Sequence, residues 1–307
     1  IIIERFRPPS KLLWFYTVRV GAYVLVGTGS FVDHNKAAAF LYLSMGAGLA
    51  VACRLQARAR EQARDNGLTW VALFGCLIIY ASFFAMGSRA GLAIASGVFV
   101  GGFALMLGAG LLAKDRSPGL WLGGVILLIG VLGMGLVEFY NRNTGTLARI
   151  EYLDAHPEEN TRAILHRETI HMLQPHPWLG WGGGTYRYVS PDFFLEDYAF
   201  HDPAYDGGLS MRSDWAHSDW LQLPMEFGIL GASLLLMIIL YFYGRSLWLG
   251  RWLGAAGLAV LLACAGMLAH ATVDFPFYNP PVTMLFFLLL VSTLKLAELD
   301  ARRAPRK

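Results

Sequence analysis

The fold class this chain predicts is an all-α membrane protein: a polytopic helical bundle of seven spans with one large, partly helical external loop domain. Three observations predict it. Seven long apolar segments follow one another. The connections between them alternate in character, with Lys and Arg clustered in every second one. All eight histidines fall on the side of the other connections, His270 at the end of its segment.

The segments run Lys36–Cys53, Leu68–Met86, Ala90–Ala113, Gly119–Val137, Leu221–Gly244, Leu253–Val273 and Pro280–Leu296. A helix crossing the hydrocarbon needs about 20 apolar residues, and a charge at mid-bilayer costs about 2.5–3.5 kcal/mol. The interiors of these segments are almost free of charge. A soluble core helix rarely runs this long without a polar face. Hydrophobic residues make up 55% of the chain and the mean hydropathy is +0.46. The net charge of +3 reflects basic residues flanking spans and indicates no nucleic-acid partner. Cys53, Cys76 and Cys264 lie in or beside apolar segments without metal-type spacing, so they read as small core residues.

Orientation follows from the loops. Arg54, Arg58, Arg60 and Arg64, then Lys114 and Arg116, then Arg245 and Arg251, and finally Arg302, Arg303, Arg306 and Lys307 all fall on one side. The positive-inside rule makes that side cytoplasmic. The opposite side holds Asp33-His34-Asn35, Ser88-Arg89, the stretch from Glu138 to Trp220, and His270 to Asn279. Four regions result: 1–35, an external or interfacial N-terminal segment; 36–138, the first four spans; 139–220, the loop domain; and 221–307, the last three spans with a basic tail. The chain opens Ile1-Ile2-Ile3-Glu4 without Met and is expected to be a fragment. Arg5, Arg7, Lys11 and Arg19 in this head fit the charge rule poorly if it is external. Within the spans, Gly101-Gly102, Gly123-Gly124, Gly133 and Gly135 suit close helix approach.

The loop domain interleaves aromatics and prolines with charge, unlike a disordered linker. Glu159 to Leu173 reads as a helix, capped by Asn160 or Thr161 and stopped by Pro175. On it Arg162 and His166 share a face, as do Arg167 and His171. Gly180, Gly182, Gly183 and Gly184 predict a tight turn whose N–H groups either bind an anion or serve structure alone. The turn follows no strand of a βαβ unit, so a dinucleotide fingerprint is excluded. Acidic residues outnumber Arg142, Arg149, Arg162, Arg167, Arg187 and Arg212. These arginines either pair with carboxylates or clamp a phosphate. Trp178, Trp181, Tyr186 and Tyr188 either stack on sugars or anchor at the headgroup level. His166 and His171 are five apart and no His-Glu-x-x-His occurs, so no metal is expected. His270 and Asp274, four apart, are expected to form a structural pair.

Four local patterns together resemble the O-antigen ligase and O-antigen polymerase superfamily, which includes protein O-oligosaccharyltransferases. The first is Gly29-Ser-Phe-Val-Asp-His-Asn35 followed by Ala37-Ala-Ala-Phe40, with Asp33 where the family carries Asn. The second is Gly87-Ser-Arg-Ala-Gly91. The third is Arg162 ahead of His176-Pro-Trp-Leu-Gly-Trp-Gly182. The fourth is His217-Ser218, nine residues, then Gly228-Ile-Leu-Gly231. Val273-Asp-Phe-Pro276 is similar to the family's closing span entry. The family has more spans than are counted here, which implies that N-terminal ones are missing.

The resemblance implies glycan transfer from a polyprenyl diphosphate-linked donor to an acceptor hydroxyl, with no cofactor and no metal. The setting would be the outer face of the bacterial inner membrane. The acceptor is a lipid-core sugar, a growing glycan or a protein side chain; the partners are donor, acceptor and membrane lipids. Arg89 and Arg162 are expected to stabilise the diphosphate and His217 to act as general base, oriented by Asp214 or Asp219 if by either. Asp33, Asn35, Arg167, Tyr186 and Gly182 are candidate substrate contacts, although Asp33 and Asn35 equally suit capping of the first span. The rival reading is a solute transporter of the bicarbonate type, which calls for polar or broken helices near the midplane. A non-catalytic scaffold for other glycan enzymes is the third.

Overall fold

The computed structural model describes residues 31, 33–62, 67–86, 88–112, 124, 132, 161–194 and 213–303. The expected span Gly119–Val137 lies outside them except at positions 124 and 132. Residues 1–30 of the N-terminal head and Arg142, Arg149 and Arg212 lie outside as well. Among the described residues all regular structure is helical: α1 (His34–Glu61), α2 (Gly67–Met86), α3 (Arg89–Leu112), α4 (Thr161–Leu173), α5 (Tyr186–Phe194), α6 (Asp219–Trp248), α7 (Gly250–His270) and α8 (Pro280–Arg303), with a 3-10 turn at Pro276–Tyr278. Six of these helices, α1, α2, α3, α6, α7 and α8, are long and apolar enough to cross a membrane. The protein is a multi-pass helical membrane protein.

Helices α1, α6 and α8 outlast the apolar runs that announce them, whereas α7 ends at His270, short of the expected Val273. Asp33 caps α1 by accepting from the Asn35 N–H (2.7 Å), and α1 then continues eight residues past Cys53. Charge ends the lipid-compatible stretch there, but it does not interrupt the backbone ladder. In that extension Arg54 reaches Asp300 (3.5 Å), and Arg60 donates to the Ala109 carbonyl (2.9 Å). Arg58 and Arg60 also suit the negative end of the helix dipole.

The chain forms two compact units. The first comprises Ile1–Tyr140, Phe242–His270 and Asn279–Lys307. In it α1 packs against α2, α3, α7 and α8, and α3 and α8 each pack on α7. Tyr42, Leu43, Met45 and Leu49 of α1 are buried. The helices meet through small residues, as expected for Gly101 and Gly102: a Cβ at these positions would lie 2.5 Å from Leu262 and 2.7 Å from Leu49. Leu68, Val71, Phe74 and Ile78 form an exposed apolar face on α2, as lipid contact requires. All three cysteines are buried and free.

The second unit comprises Asn141–Tyr241 and Ala271–Tyr278. Its core gathers Ile164, Leu165, Met172, Tyr186, Ala216 and Met225, with Trp181, Val189 and Phe193 packed against them. The helix expected at Glu159–Leu173 is α4, and it gives way to a turn at Gln174-Pro175 as the proline requires.

Candidate functional site

In the second unit, the site is organised by a break in α6. Gly228 stands at φ 67, ψ 174 inside the helix, a combination open essentially to glycine alone. A broken helix frees N–H and C=O groups that apolar surroundings cannot satisfy. The segment Pro177–Gly182 satisfies four of them. Trp181 and Gly182 donate to the carbonyls of Met225 (3.0 Å) and Glu226 (2.7 Å), and Ile229 and Leu230 donate to those of Pro177 (2.8 Å) and Trp178 (3.3 Å). The approach is close enough to need glycine on both sides. A Cβ on Gly228 would lie 2.0 Å from the Trp178 oxygen, and one on Gly180 would lie 2.4 Å from the Glu226 oxygen. Two motifs that are far apart in sequence, His176–Gly182 and His217–Gly231, are therefore halves of one clasp.

The glycine turn does hold an anion, and the anion belongs to the protein. Glu226 is fully buried. Its carboxylate accepts from the N–H groups of Gly184 (2.7 Å) and Tyr186 (3.2 Å), from Gln222 Nε2 (3.1 Å) and from the Tyr278 hydroxyl (2.8 Å). Tyr186 opens α5, so the carboxylate also sits at the positive end of that helix. Burial raises the Tyr278 hydroxyl pKa far above its ordinary value, and the neighbouring Glu226 and Asp219 carboxylates push it further. Tyr278 therefore remains a donor. Gln222 completes the network by accepting from the Ala216 N–H (2.9 Å). Glu226 was legible only as a lone charge inside an otherwise apolar span, a position that calls for a partner.

His217 precedes α6 with φ 53, the only positive φ on a non-glycine residue among those described. Left-handed backbone is uncommon for any side chain, although His tolerates it better than most. His166 Nε2 on α4 donates to the His217 carbonyl (3.3 Å), and the His217 ring meets Phe275 edge-on (5.1 Å). Trp215 stacks flat on Phe275 (4.8 Å, 9°), and Arg187 lies over Trp215 (5.4 Å). Ser218 starts α6 by accepting from the Gln222 N–H (2.9 Å). The Asp219 N–H donates to the carbonyls of Ala271 and Asp274, and its carboxylate accepts from the Phe277 N–H (2.9 Å). Asp214 is exposed.

The other expected residues of this unit divide. Arg162 is exposed on α4 and forms no salt bridge with another described residue. Arg167 instead donates to the buried Glu168 (2.9 Å), which also faces His171 Nδ1 (3.4 Å). That is the carboxylate pairing open to it from sequence. Tyr186 is only 1% exposed, with its hydroxyl on Thr169 (3.3 Å). Burial pushes its pKa up to about 12, against the pull of the Thr169 bond, and the Glu168 charge adds to the rise. Tyr186 is thus a core residue and presents no face to sugar. The Gly182 N–H is taken by the Glu226 carbonyl and is not offered to a ligand. Trp181 is also turned inward, with Nε1 donating to the Met172 carbonyl (2.6 Å).

In the first unit the two expected entry motifs meet. Ser88 donates to Asn35 Oδ1 (2.7 Å) and accepts from the Gly91 N–H (3.1 Å). This joins the starts of α1 and α3. Arg89, the first residue of α3, is exposed beside that joint and forms no salt bridge with another described residue. Asp33 caps α1 and faces Lys36 (3.9 Å), so Asp33 and Asn35 both hold helix starts. His270 pairs with the Tyr42 hydroxyl (3.3 Å), whereas Asp274, in the second unit, accepts from the Phe275 N–H (2.8 Å). Among the described residues no group of His, Cys, Asp and Glu has the makings of a metal centre.

Among curated proteins none matches the chain. A family model described as O-antigen ligase matches residues 72–236. That match covers more than half of the 307 residues, including Arg89, Arg162, the glycine turn, His217 and Gly228. Clasp and histidine thus lie within the stretch the family model describes, and this polytopic membrane protein belongs to the O-antigen ligase family.

Proposed function

We propose that the protein transfers a glycan from a polyprenyl diphosphate donor to an acceptor hydroxyl at the periplasmic face of the bacterial inner membrane, as an O-antigen ligase. The observation that carries this reading is His217. Its backbone is held in the left-handed region directly before a membrane helix, inside the stretch matched by the family model. Backbone outliers persist only where their surroundings over-determine them, and they gather at active sites.

In this reaction the acceptor oxygen attacks the anomeric carbon as the bond from that carbon to the diphosphate oxygen breaks. The acceptor proton passes to the neutral imidazole of His217, which later returns it to solvent. The leaving polyprenyl diphosphate carries the negative charge away. Arg89 and Arg162 stabilise that charge as it develops. Both are exposed and without a salt bridge to a described residue, in contrast to Arg167 with its Glu168 partner. The break in α6 offers little to a transport reading, because four of the backbone groups around it are paired with Pro177–Gly182.

The test is glycan transfer by purified protein in proteoliposomes containing a lipid-linked oligosaccharide. His217→Ala should lower the rate by at least about 100-fold, and Arg89→Ala by about 100- to 1000-fold, in proteins that insert normally. Wild-type turnover in both variants overturns the assignment. Mass spectrometry of acceptors from cells with and without the protein identifies the acceptor: a lipid-core sugar that loses its glycan supports ligase action. A change in chain length alone would point to polymerase action.

A further inference from the structure

The segment that fills the α6 break carries two large apolar side chains left open to the surroundings. Trp178 is 63% exposed and Leu179 is 77% exposed. Their neighbours on α6, Phe227, Ile229 and Leu230, are exposed too, and Leu234 and Met237 extend the same apolar surface along the helix. The backbone bonds to Ile229 and Leu230 fix the position of the tip along α6. It lies at the start of the uncharged stretch Phe227–Gly244. At the α-helical rise, that stretch spans about 27 Å, close to the thickness of a hydrocarbon core. The tip therefore falls at the hydrocarbon edge, the level that tryptophan favours. Its backbone is fitted for the place. Pro177 has no N–H, the Gly180 N–H donates to the His176 carbonyl (2.9 Å), and the carbonyls of Pro177 and Trp178 are taken by α6. Three polar groups of the tip that lipid could not satisfy are thus already paired.

We infer that Pro177–Gly180 is a membrane wedge, with Trp178 and Leu179 inserted among lipid acyl chains at the headgroup boundary. The wedge is continuous with the lipid-facing surface of α6. Through Trp181 Nε1 and the Met172 carbonyl it is tied to the C-terminal end of α4. It therefore sets the height of the helix that carries Arg162 above the bilayer. The inference does not depend on the reaction the protein performs.

The experiment is spin-label accessibility on the full chain in lipid nanodiscs, with Cys53, Cys76 and Cys264 replaced by Ala. Labels are placed singly at Leu179→Cys, at Leu234→Cys as the lipid reference and at Asp192→Cys as the water reference. Oxygen partitions into lipid and a nickel chelate into water. The oxygen-to-nickel ratio at Leu179 should lie within about twofold of Leu234 and about fivefold or more above Asp192. A ratio like that of Asp192 overturns the wedge, and so does exclusion of both reagents, which would mean that protein covers the tip. A label at Trp178→Cys gives the same readout if the Leu179 substitution disturbs the turn.

Discussion

Helices α6 and α7 each break at a glycine, and Gly228 and Gly254 adopt nearly the same backbone angles (φ 67, ψ 174 and φ 60, ψ −178). Their surroundings differ. A Cβ on Gly228 would collide with the Trp178 carbonyl, whereas one on Gly254 would meet nothing within 4 Å. The first break is filled by another segment of chain, and the second is a bend in open space. Nearly equal dihedral angles therefore carry different obligations: Gly254 answers only to its own backbone, while Gly228 answers to its backbone and to a tertiary contact.

Alanine at each glycine is the most direct way to break this comparison. Gly254→Ala should cost about 1–3 kcal/mol, the strain of a glycine-only conformation. Gly228→Ala should cost more than about 4 kcal/mol, because the clasp must also open. Thermal melts in detergent, read together with protease nicking of the 174–186 segment, will rank the two; equal losses would refute the distinction. Glu226→Gln sharpens the comparison. It keeps the shape of the side chain but turns an amide toward groups that all donate, and should cost about 2–4 kcal/mol. The same nicking assay should show the glycine turn loosened while α7 is unaffected. Alkali probes the core behind the turn. The Tyr186 pKa is raised in the fold, from 10.0 to about 12, so the stability it lends is complete below pH 10 and is lost as pH rises toward 12. A Tyr186→Phe variant should lose less of its melting temperature over that window than the wild type. The smallest effect belongs to the joint in the other unit. Ser88→Ala and Asn35→Ala should each cost about 1 kcal/mol and be non-additive in the double variant, with glycan transfer falling further than stability because Arg89 adjoins the joint.

Much of the architecture was legible because lipid imposes a simple rule on long helices. Six of the seven apolar segments coincide with described helices, although helix ends such as Arg54–Glu61 escaped notice because the solvent changes there and the hydrogen bonding does not. Local signals also worked: Pro175 stops α4, and Gly101 and Gly102 mark close packing. Pairing across the chain was not legible. The glycine turn was open to an anion or to structure alone, and its partner Glu226 lies 42 residues from Gly184. Tyr186 and Trp181 looked like surface aromatics because their immediate neighbours are polar and glycine-rich, while the core that covers them comes from α4 and α6. The choice open to Arg167 was settled by Glu168, its neighbour in sequence, through burial that composition does not reveal.

The clasp also has a consequence in time. Pro177–Gly182 leaves the ribosome before Gly228, and none of its cross-connections can form until α6 has been made and inserted. Until then a stretch with two bulky apolar residues at its tip lacks the partners that close it. Chaperones and the insertion machinery thus meet a protein whose clasp matures only after a later helix has arrived.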